Sequence, residues 1–212
     1  GTPTLVILIN GRPISEPWIY EHVDAIIEAW EPGGPGGTAL AEIIFGMVNP
    51  SGKLPVTIPY DVGHVRSHYS EKSSSFFRDY VDIPSPSNGM VNGRSRNLFD
   101  FGYGLSYTTF TFENMKLSSS AIAKDESVSV SVDVTNSGKM AGAEVVQLYI
   151  RDEFSEVTRP VRELKNFQRV ELAPGENRTV EFEITPDMLS YFNLTMKRVV
   201  EPGDFSIMVG SS

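Results

Sequence analysis

The stretch Leu5-Val6-Ile7-Leu8-Ile9, close to the start of the chain, decides what the first half of the protein can be. Its apolar residues follow one another without polar alternation, and the turn residues Asn10-Gly11 end the run. An uninterrupted short apolar run is typical of a parallel-type strand that is covered on both faces. We therefore predict the central strand of an α/β sheet here.

Two helical patterns follow this strand. Ser15 can cap a first helix, in which apolar residues recur at helical spacing as far as Trp30. Thr38 can cap a second, shorter helix that Gly46 ends. A short strand is expected over residues 54–58, at an edge or a terminus of a sheet because of its prolines.

Beyond Phe99 the apolar period changes from helical to two, which is typical of half-buried strands. Alternating apolar residues occur at Phe110 and Phe112, at Val128, Val130, Val132 and Val134, at Val146, Leu148 and Ile150, at Val180, Phe182 and Ile184, and at Phe205, Ile207 and Val209. A further strand is expected over residues 166–172. Glycine- and proline-containing turns separate these segments, which predicts a β-sandwich of about 100 residues that begins near Thr108.

A long segment between the two halves, residues 60–98, shows no clear periodicity and is rich in serine, proline, glycine and asparagine. Unstructured connections longer than about 12 to 15 residues are usually functional or disordered. The aromatic residues Tyr69, Phe76, Phe77 and Tyr80 indicate that its first half packs on something. Proteolytic cleavage is predicted between Ser85 and Gly93.

The composition excludes several classes of protein. The chain of 212 residues has no cysteine, which removes disulfides, thiolate metal sites and cysteine nucleophiles. A formal net charge of -9 disfavours nucleic-acid binding. No apolar run reaches the roughly 18 to 20 residues that a membrane-spanning helix needs, and the first residues do not resemble a signal peptide.

The elements predicted for the first half do not complete a parallel sheet. A strand that is buried on both faces needs neighbours on both edges, and a two-stranded sheet is marginal at best. The missing strands are expected from sequence upstream of Gly1 or from another polypeptide. We therefore interpret the chain as a C-terminal fragment.

Ordered motifs occur along nearly the whole chain. In the first half they are Leu8-Ile9-Asn10-Gly11-Arg12-Pro13, Ala29-Trp30-Glu31-Pro32-Gly33, Gly36-Gly37, Phe45-Gly46, Asn49-Pro50-Ser51-Gly52-Lys53-Leu54-Pro55 and Phe101-Gly102-Tyr103-Gly104-Leu105-Ser106-Tyr107. In the second half they are Glu144-Val145-Val146-Gln147-Leu148-Tyr149, Arg159-Pro160, Glu163-Leu164-Lys165, Phe167, Arg169-Val170, Pro174-Gly175-Glu176 and Pro202-Gly203. Together these motifs closely resemble the C-terminal part of family 3 glycoside hydrolases, the β-glucosidase and β-xylosidase group, and those of the second half resemble the terminal fibronectin type III-like domain of that family.

The resemblance implies an incomplete α/β sandwich domain over residues 1–108, including the loop 60–98, and an all-β fibronectin type III-like sandwich over residues 109–212. It implies part of an exo-acting, retaining β-glycosidase that removes terminal β-linked glucose or xylose and needs no metal or cofactor. The partners would be a carbohydrate substrate and a missing N-terminal barrel domain, with homo-oligomerisation left open. A periplasmic or secreted location is favoured, and a non-catalytic carbohydrate-binding or structural module is the alternative.

The resemblance places no catalytic residue in this chain, because the aspartate nucleophile and the glutamate acid/base of the family are expected upstream. Retaining hydrolysis needs two carboxyl groups roughly 5 to 5.5 Å apart. Glu28 with Glu31 and Asp79 with Asp82 are close in sequence, but solvated faces or salt bridges are the preferred interpretation. The sugar-binding residues stay unknown.

Other chemically suggestive residues have a structural interpretation beside a functional one. His64, His68 and Glu71 have metal-ligand spacing only if the segment is helical, so exposed loop histidines are preferred, and His22 is expected at the surface. The glycines of 33–37 are interpreted as a tight turn rather than a phosphate loop. Trp30 is expected in the core, with a sugar platform as the alternative.

The aromatic residues of the loop and two glycosylation sequons complete the candidates. Tyr69, Phe76, Phe77 and Tyr80 would either anchor the loop to its own domain or form a wall beside a sugar site. The triplets at Asn177 and Asn193 are N-glycosylation sequons, whose occurrence by chance is the preferred interpretation.

Overall fold

A computed structural model describes residues 1–63, 68–72 and 97–211, and it divides into two compact units. The first unit comprises Gly1–Val48, Leu54–Tyr69 and Ser74–Tyr103, and the second comprises Asn49–Lys53, Ser70–Ser73 and Gly104–Ser212. Among the described residues, no helix has both the length and the apolar character needed to span a membrane.

The first unit contains a two-stranded parallel sheet and two helices. Strand β1, Leu5–Leu8, is followed by helix α1, Pro17–His22, strand β2, Ala25–Glu28, and helix α2, Gly36–Ile44. β1 pairs in parallel with β2, from Leu5 opposite Ala25 to Leu8 opposite Glu28. The predicted amino-terminal strand is thus confirmed.

The predicted first helix is wrong beyond His22. The chain becomes extended at Val23, with φ −109° and ψ 150°, and residues 25–28 form β2 instead of further helical turns. By periodicity the short segment Ala25-Ile26-Ile27-Glu28 fits either structure, and the parallel partner β1 decides the outcome. The capping prediction also fails, because the N-cap residue is Glu16 rather than Ser15 and no side chain caps the helix.

The second helix is confirmed, although it begins three residues earlier than the sequence predicted. It starts at Gly36, before Thr38, and the chain leaves it through Gly46, whose φ of +71° is in the left-handed region that favours glycine. At its start, a Cβ on Gly36 would lie 2.6 Å from the Cβ of Pro32. Gly36 therefore allows close packing, and Gly33 has a φ of +68°, so this segment forms a tight turn, as expected.

The short strand predicted for residues 54–58 is wrong, since the structure has only an isolated antiparallel bridge between Ile58 and Phe99. Pro55 lies within the segment and Pro59 directly follows it, and each lacks the backbone donor that a strand would need. The backbone nevertheless runs beside residues 98–103, through hydrogen bonds such as Leu54 N–H to Tyr103 O at 2.8 Å.

The second unit is a β-sandwich, as predicted. Its main strands are β3 (Phe110–Leu117), β4 (Val128–Asn136), β5 (Gly142–Asp152), β6 (Glu163–Leu172), β7 (Asn177–Ile184) and β10 (Phe205–Gly210). One three-stranded sheet has the order β10-β5-β6 and the other has the order β3-β4-β7, with antiparallel pairing throughout. The sequence analysis did not anticipate the short helix α3 (Pro186–Leu189) or the hairpin of β8 (Tyr191–Phe192) and β9 (Arg198–Val199).

The core of the sandwich consists of the alternating apolar side chains identified in the sequence. Val130, Val134, Val146, Leu148 and Ile184 are completely buried between the two sheets. The burial of β4 alternates strictly along its length, so Ser129, Ser131, Asp133 and Thr135 face outward, while Asn136 at its end is buried. The alternation of the sequence therefore determines which face of each strand forms the core.

Strand β5 is buried on both faces, unlike its neighbours. Besides its core side chains, Glu144, Gln147 and Tyr149 are also buried. The short segment Asn49–Lys53 belongs to the same unit, and Lys53 forms an ion pair with Glu144. A segment from the first half of the sequence is therefore part of the sandwich.

Candidate functional site

The carboxyl ends of the parallel strands β1 and β2 bring several polar residues together. Backbone pairing continues past both strands, since Ala29 N–H donates to Leu8 O at 2.9 Å and Asn10 N–H donates to Trp30 O at 3.1 Å. In open α/β sheets, ligands bind in the crevice outside the carboxyl ends of the strands. This strand end, which we call the carboxyl edge, is therefore the candidate site within the first unit.

Glu28, the last residue of β2, links the two strand ends. Its Oε1 atom accepts the Trp30 N–H at 3.2 Å, and its Oε2 atom lies 3.5 Å from the Asn10 Nδ2 donor. The Oδ1 atom of Asn10 is buried and receives no hydrogen bond from the described residues. The carboxyl edge thus has a bridging carboxylate and an acceptor that is still unsatisfied.

Aromatic residues lie beside this carboxylate. The Tyr20 hydroxyl donates to Ile14 O at 3.1 Å, and its ring meets Phe99 edge-on at 5.1 Å between centroids. Burial, together with the negative charge of Glu28, raises the pKa of Tyr20 above its ordinary value. Tyr20 therefore remains a neutral phenol at physiological pH.

The sequence analysis missed Asn10 and Tyr20 as neighbours of Glu28. The signal that could have found Asn10 is its place directly after a predicted buried strand, where ligand-contacting residues of α/β sheets occur. Tyr20 offered no comparable signal, because its position depends on where helix α1 ends.

The acidic pairs singled out in the sequence have different outcomes. Glu28 bridges the two strand ends, whereas Glu31 is exposed and its Oε1 atom would lie 2.9 Å from a Cβ built on Gly11. Asp79 and Asp82 lie outside the described residues. The absence of catalytic residues from this chain stays a prediction.

Trp30 does not occupy the place expected for it. It follows β2 rather than belonging to a helix, it is only partly buried, and its φ of 51° is in the left-handed region. It is absent from the buried apolar residues of the described structure. Core packing, the preferred interpretation of Trp30 from the sequence, is therefore wrong.

The histidine residues show no metal-like arrangement in the part of the chain that the structure describes. His22 is exposed, as expected, and stacks on Trp18 at 4.9 Å between ring centroids. His68 is exposed in a non-helical segment, while His64 lies outside the described residues. Within the described ranges, no three His, Cys, Asp or Glu residues are grouped closely enough to hold a metal ion.

Of the four aromatic residues predicted to anchor the loop, Tyr69 lies within the described residues. The Tyr69 ring stacks on Phe101 at 4.2 Å between centroids, within the first unit. Phe76, Phe77 and Tyr80 lie outside the described residues. The stacking of Tyr69 favours an anchoring role for that residue.

The sequence motif at residues 49–53 has a structural role in the second unit. Asn49 Oδ1 accepts hydrogen bonds from Ser106 Oγ and Tyr107 N, both at 2.8 Å, and its Nδ2 donates to Ala141 O at 3.0 Å. Lys53 Nζ lies 2.8 Å from Glu144 Oε1 and 2.9 Å from Gly104 O. These contacts attach the segment 49–53, which we call the clamp segment, to the sandwich.

The motif at Arg159-Pro160 is explained by a second buried ion cluster. Arg159 pairs with Asp152 at 2.9 Å and with Glu163, and it donates to Leu189 O at 3.1 Å. Its guanidinium also lies 5.2 Å from the centre of the Tyr191 ring. Burial, with a contribution from Glu201, raises the pKa of Tyr191 to about 12. Arg159 therefore holds the β5–β6 loop against helix α3 and strand β8.

Both sequons use polar atoms to stabilise the local structure. Asn177 Nδ2, the atom that would carry a glycan, donates to Thr135 Oγ1 at 2.7 Å. Asn193 Oδ1 accepts hydrogen bonds from Thr195 N, Thr195 Oγ1 and Lys197 N and so organises the β8–β9 turn. These bonds account for the two asparagines without glycosylation.

Comparisons with known proteins agree with this architecture of an α/β unit followed by a β-sandwich. Residues 1–107 match the family model of the glycosyl hydrolase family 3 C-terminal domain, and residues 144–212 match that of the fibronectin type III-like domain. The chain belongs to glycosyl hydrolase family 3. The family resemblance and the fold class predicted from the sequence are thereby confirmed.

Individual relatives are enzymes much longer than this chain. A β-xylosidase of Formosa agariphila is 45% identical over 100% of the chain, and a periplasmic β-glucosidase of Salmonella typhimurium is 41% identical over 99% of it. A solved β-glucosidase structure from Erythrobacter marinus superposes with a TM-score of 0.89 at 42% identity, covering 98% of the chain and 26% of that structure. The chain spans 28% of the length of each of the two curated relatives.

Proposed function

We propose that this chain forms the C-terminal part of a retaining, exo-acting β-glycosidase that removes terminal β-linked glucose or xylose. The observation that carries the proposal is the incomplete parallel sheet of the first unit. Among the described residues β1 pairs only with β2, and Leu5, Ile7 and Ile9 are 39%, 36% and 65% exposed. Apolar strands of this kind are stable when further strands and helices cover them.

The names of the relatives support the substrate class. They include β-xylosidases and β-glucosidases, and a β-glucosidase from Listeria innocua with 34% identity was solved in complex with laminaribiose. On this proposal, the partners of the chain are the carbohydrate and a preceding barrel domain that provides the nucleophile. One relative is named periplasmic, which supports a periplasmic or secreted location. The division into domains 1–108 and 109–212, and homo-oligomerisation, stay proposals.

The experiment that tests this proposal compares the chain alone with the protein from the complete reading frame. Both are incubated with 4-nitrophenyl β-D-glucoside and 4-nitrophenyl β-D-xyloside. We expect turnover by the full-length protein only, because retaining hydrolysis needs two carboxyl groups about 5 to 5.5 Å apart and the resemblance places both upstream. Turnover by the isolated chain, or inactivity of the full-length protein on all β-glycosides, would contradict the proposal.

A non-catalytic carbohydrate-binding module is the second candidate function. The observation that favours it is a set of exposed aromatic side chains on the sandwich: Phe154, Phe167 and Phe192 are 82%, 63% and 59% exposed. Aromatic faces are the usual contact for sugar rings. Calorimetric titration of the isolated chain with soluble β-glucans and xylans distinguishes the two functions, because a binding module retains polysaccharide without any upstream domain.

A further inference from the structure

Trp30 has a backbone conformation that is unusual for a large side chain. Its φ of 51° lies in the left-handed region, which glycine adopts easily and bulky residues rarely do. Such conformations cost free energy, and they persist where the surrounding contacts enforce them, often at functional sites.

Two hydrogen bonds hold the Trp30 backbone at the carboxyl edge. Glu28 Oε1 accepts its N–H at 3.2 Å, and its carbonyl oxygen accepts the Asn10 N–H at 3.1 Å. The first bond uses a carboxylate that has no cationic partner within salt-bridge distance among the described residues. The Glu28 side chain thus helps to set the direction of the backbone at Trp30, directly after strand β2.

The location of Trp30 is the one where α/β sheets bind ligands. It directly follows the carboxyl end of a parallel strand, and its side chain is only partly buried. The nearby Asn10 Oδ1 is buried and receives no hydrogen bond from the described residues, so its donor comes from elsewhere. Trp30 and Asn10 are joined at this edge through their backbones, and an aromatic side chain next to polar residues is the combination that suits a sugar ring, which has C–H faces and hydroxyl groups.

We propose that Trp30 is a sugar-stacking residue at the carboxyl edge, and that Glu28 is a positioning residue that holds Trp30 in its left-handed conformation. The ligand class is a pyranose ring of the β-glycoside substrate. This inference rests on the proposed β-glycosidase function and adds to it a substrate contact from the C-terminal part of the enzyme. It also explains why a tryptophan, rather than glycine, occupies a left-handed position.

The test uses the full-length protein and steady-state kinetics with 4-nitrophenyl β-D-glucoside. Replacing Trp30 by Phe keeps an aromatic face, whereas Trp30→Leu keeps apolar volume without one. We expect Trp30→Leu to raise KM about tenfold with a smaller change in kcat, and Trp30→Phe to remain within about threefold of the wild type. Trp18→Phe and Trp18→Leu are the matched controls, because Trp18 is 62% exposed on helix α1 and stacks on His22.

Glu28 is tested by its own pair of variants. Glu28→Gln retains an acceptor for the Trp30 N–H, so we expect its KM to stay within about threefold of the wild type. Glu28→Ala removes this acceptor and is expected to raise KM, as Trp30→Leu does, while kcat changes less. A purely structural role would lower the amount of active enzyme in both variants and leave KM unchanged.

Failure of this inference and failure of the proposed function give different results. Equal KM values for Trp30→Leu, Trp30→Phe and the Trp18 variants in an active full-length enzyme would overturn the role of Trp30 alone. If the full-length protein hydrolyses no β-glycoside, calorimetric titration with glucose replaces the kinetics. Loss of glucose affinity in Trp30→Leu but not in Trp30→Phe would then still support the sugar contact, and equal affinities would reject it.

Discussion

At the scale of single residues, Arg159 is the centre of a buried ion cluster in the sandwich. The side chains of Arg159 and Asp152 are only 7% and 3% exposed. Replacing Arg159 by Met leaves the Asp152 carboxylate without its cation, whereas Glu163 keeps Lys165 at 3.2 Å, and removing one partner of a buried pair costs about 3 to 5 kcal/mol. We expect a loss of this size in the free energy of unfolding, measured by urea denaturation.

Arg169 provides the matched control for Arg159. It pairs with Glu171, but the two side chains are 51% and 74% exposed, so Arg169→Met is expected to cost less than about 1 kcal/mol. Equal losses for the two variants would show that the Arg159 cluster contributes no more than a surface salt bridge.

Tyr191 is expected to make stability depend on alkaline pH. Its pKa is raised from 10.0 to about 12 in the folded protein, so the neutral phenol is the form that folding favours. The contribution of the neutral Tyr191 phenol to the free energy of unfolding is complete below pH 10. It is lost as the pH rises towards about 12, because in that interval the Tyr191 hydroxyl ionises readily only in the unfolded state. The difference in unfolding free energy between wild type and Tyr191→Phe should therefore change between pH 9 and pH 11.5, and a constant difference would contradict the prediction.

At the scale of elements, the contrast between the two sheet systems predicts a contrast in local stability. β1 and β2 form a two-stranded sheet with exposed apolar residues, whereas β4 lies between β3 and β7 and buries alternate side chains completely. Two-stranded sheets are marginal, and amides in weakly packed regions exchange first. Hydrogen exchange of the isolated chain should therefore be faster at Val6 and Ile7 than at Val130 and Val132.

The same experiment on the full-length protein serves as the control. If upstream strands and helices cover β1, protection at Val6 and Ile7 will rise towards that of the sandwich. Equal protection in the isolated chain would mean that the two-stranded sheet is stable without further neighbours.

The clamp segment 49–53 is expected to stabilise the sandwich through Lys53 and Glu144. Their side chains are 12% and 7% exposed, so Lys53→Met leaves a buried carboxylate without its cation and should cost about 3 to 5 kcal/mol. The double variant Lys53→Met with Glu144→Met should recover most of this loss, since an apolar pair can replace a buried ion pair. Thermal denaturation of the wild type, Lys53→Met, Glu144→Met and the double variant measures the coupling, and additive losses would contradict it.

At the scale of the whole molecule, the order of segments in space differs from their order in the sequence. Asn49–Lys53 and Ser70–Ser73 belong to the same compact unit as residues 104–212, although they precede the boundary proposed near Thr108. In this unit Val161 N–H donates to Glu71 O at 2.8 Å, and Asn49 reaches Ala141 across 92 positions of sequence. The second unit is therefore built from three separate parts of the chain.

This arrangement predicts how the protein behaves after limited proteolysis. Cleavage between Ser85 and Gly93, which the sequence predicts, produces two pieces that share the second unit. We expect them to co-elute in size-exclusion chromatography under native conditions, because the clamp segment stays bound to the sandwich, and to separate in urea. Separation under native conditions would show that the contacts of residues 49–53 and 70–72 are too weak to hold the pieces together.

Much of the fold and part of the candidate site could be predicted from the sequence. The period-two valines of β4 decide their element locally because alternation fits a strand best, and the short length of the apolar run at Leu5, with turn residues directly after it, favours a strand there. The ordered motifs of both halves were sufficient to identify the family. The sequence shows Asn10 and Glu28 as polar residues near apolar runs. It does not show that the two residues lie close to each other.

The sequence by itself therefore determined the two-part organisation, the faces of the sandwich strands and the family. Only the tertiary structure decided that residues 25–28 form a strand, that Trp30 lies at its carboxyl end, and that the clamp segment belongs to the sandwich. The physical reason is the range of the interactions. Periodicity and turn chemistry act over a few residues, whereas the strand pairing of β2 and the ion pair of Lys53 depend on partners that lie about 20 and about 90 positions away.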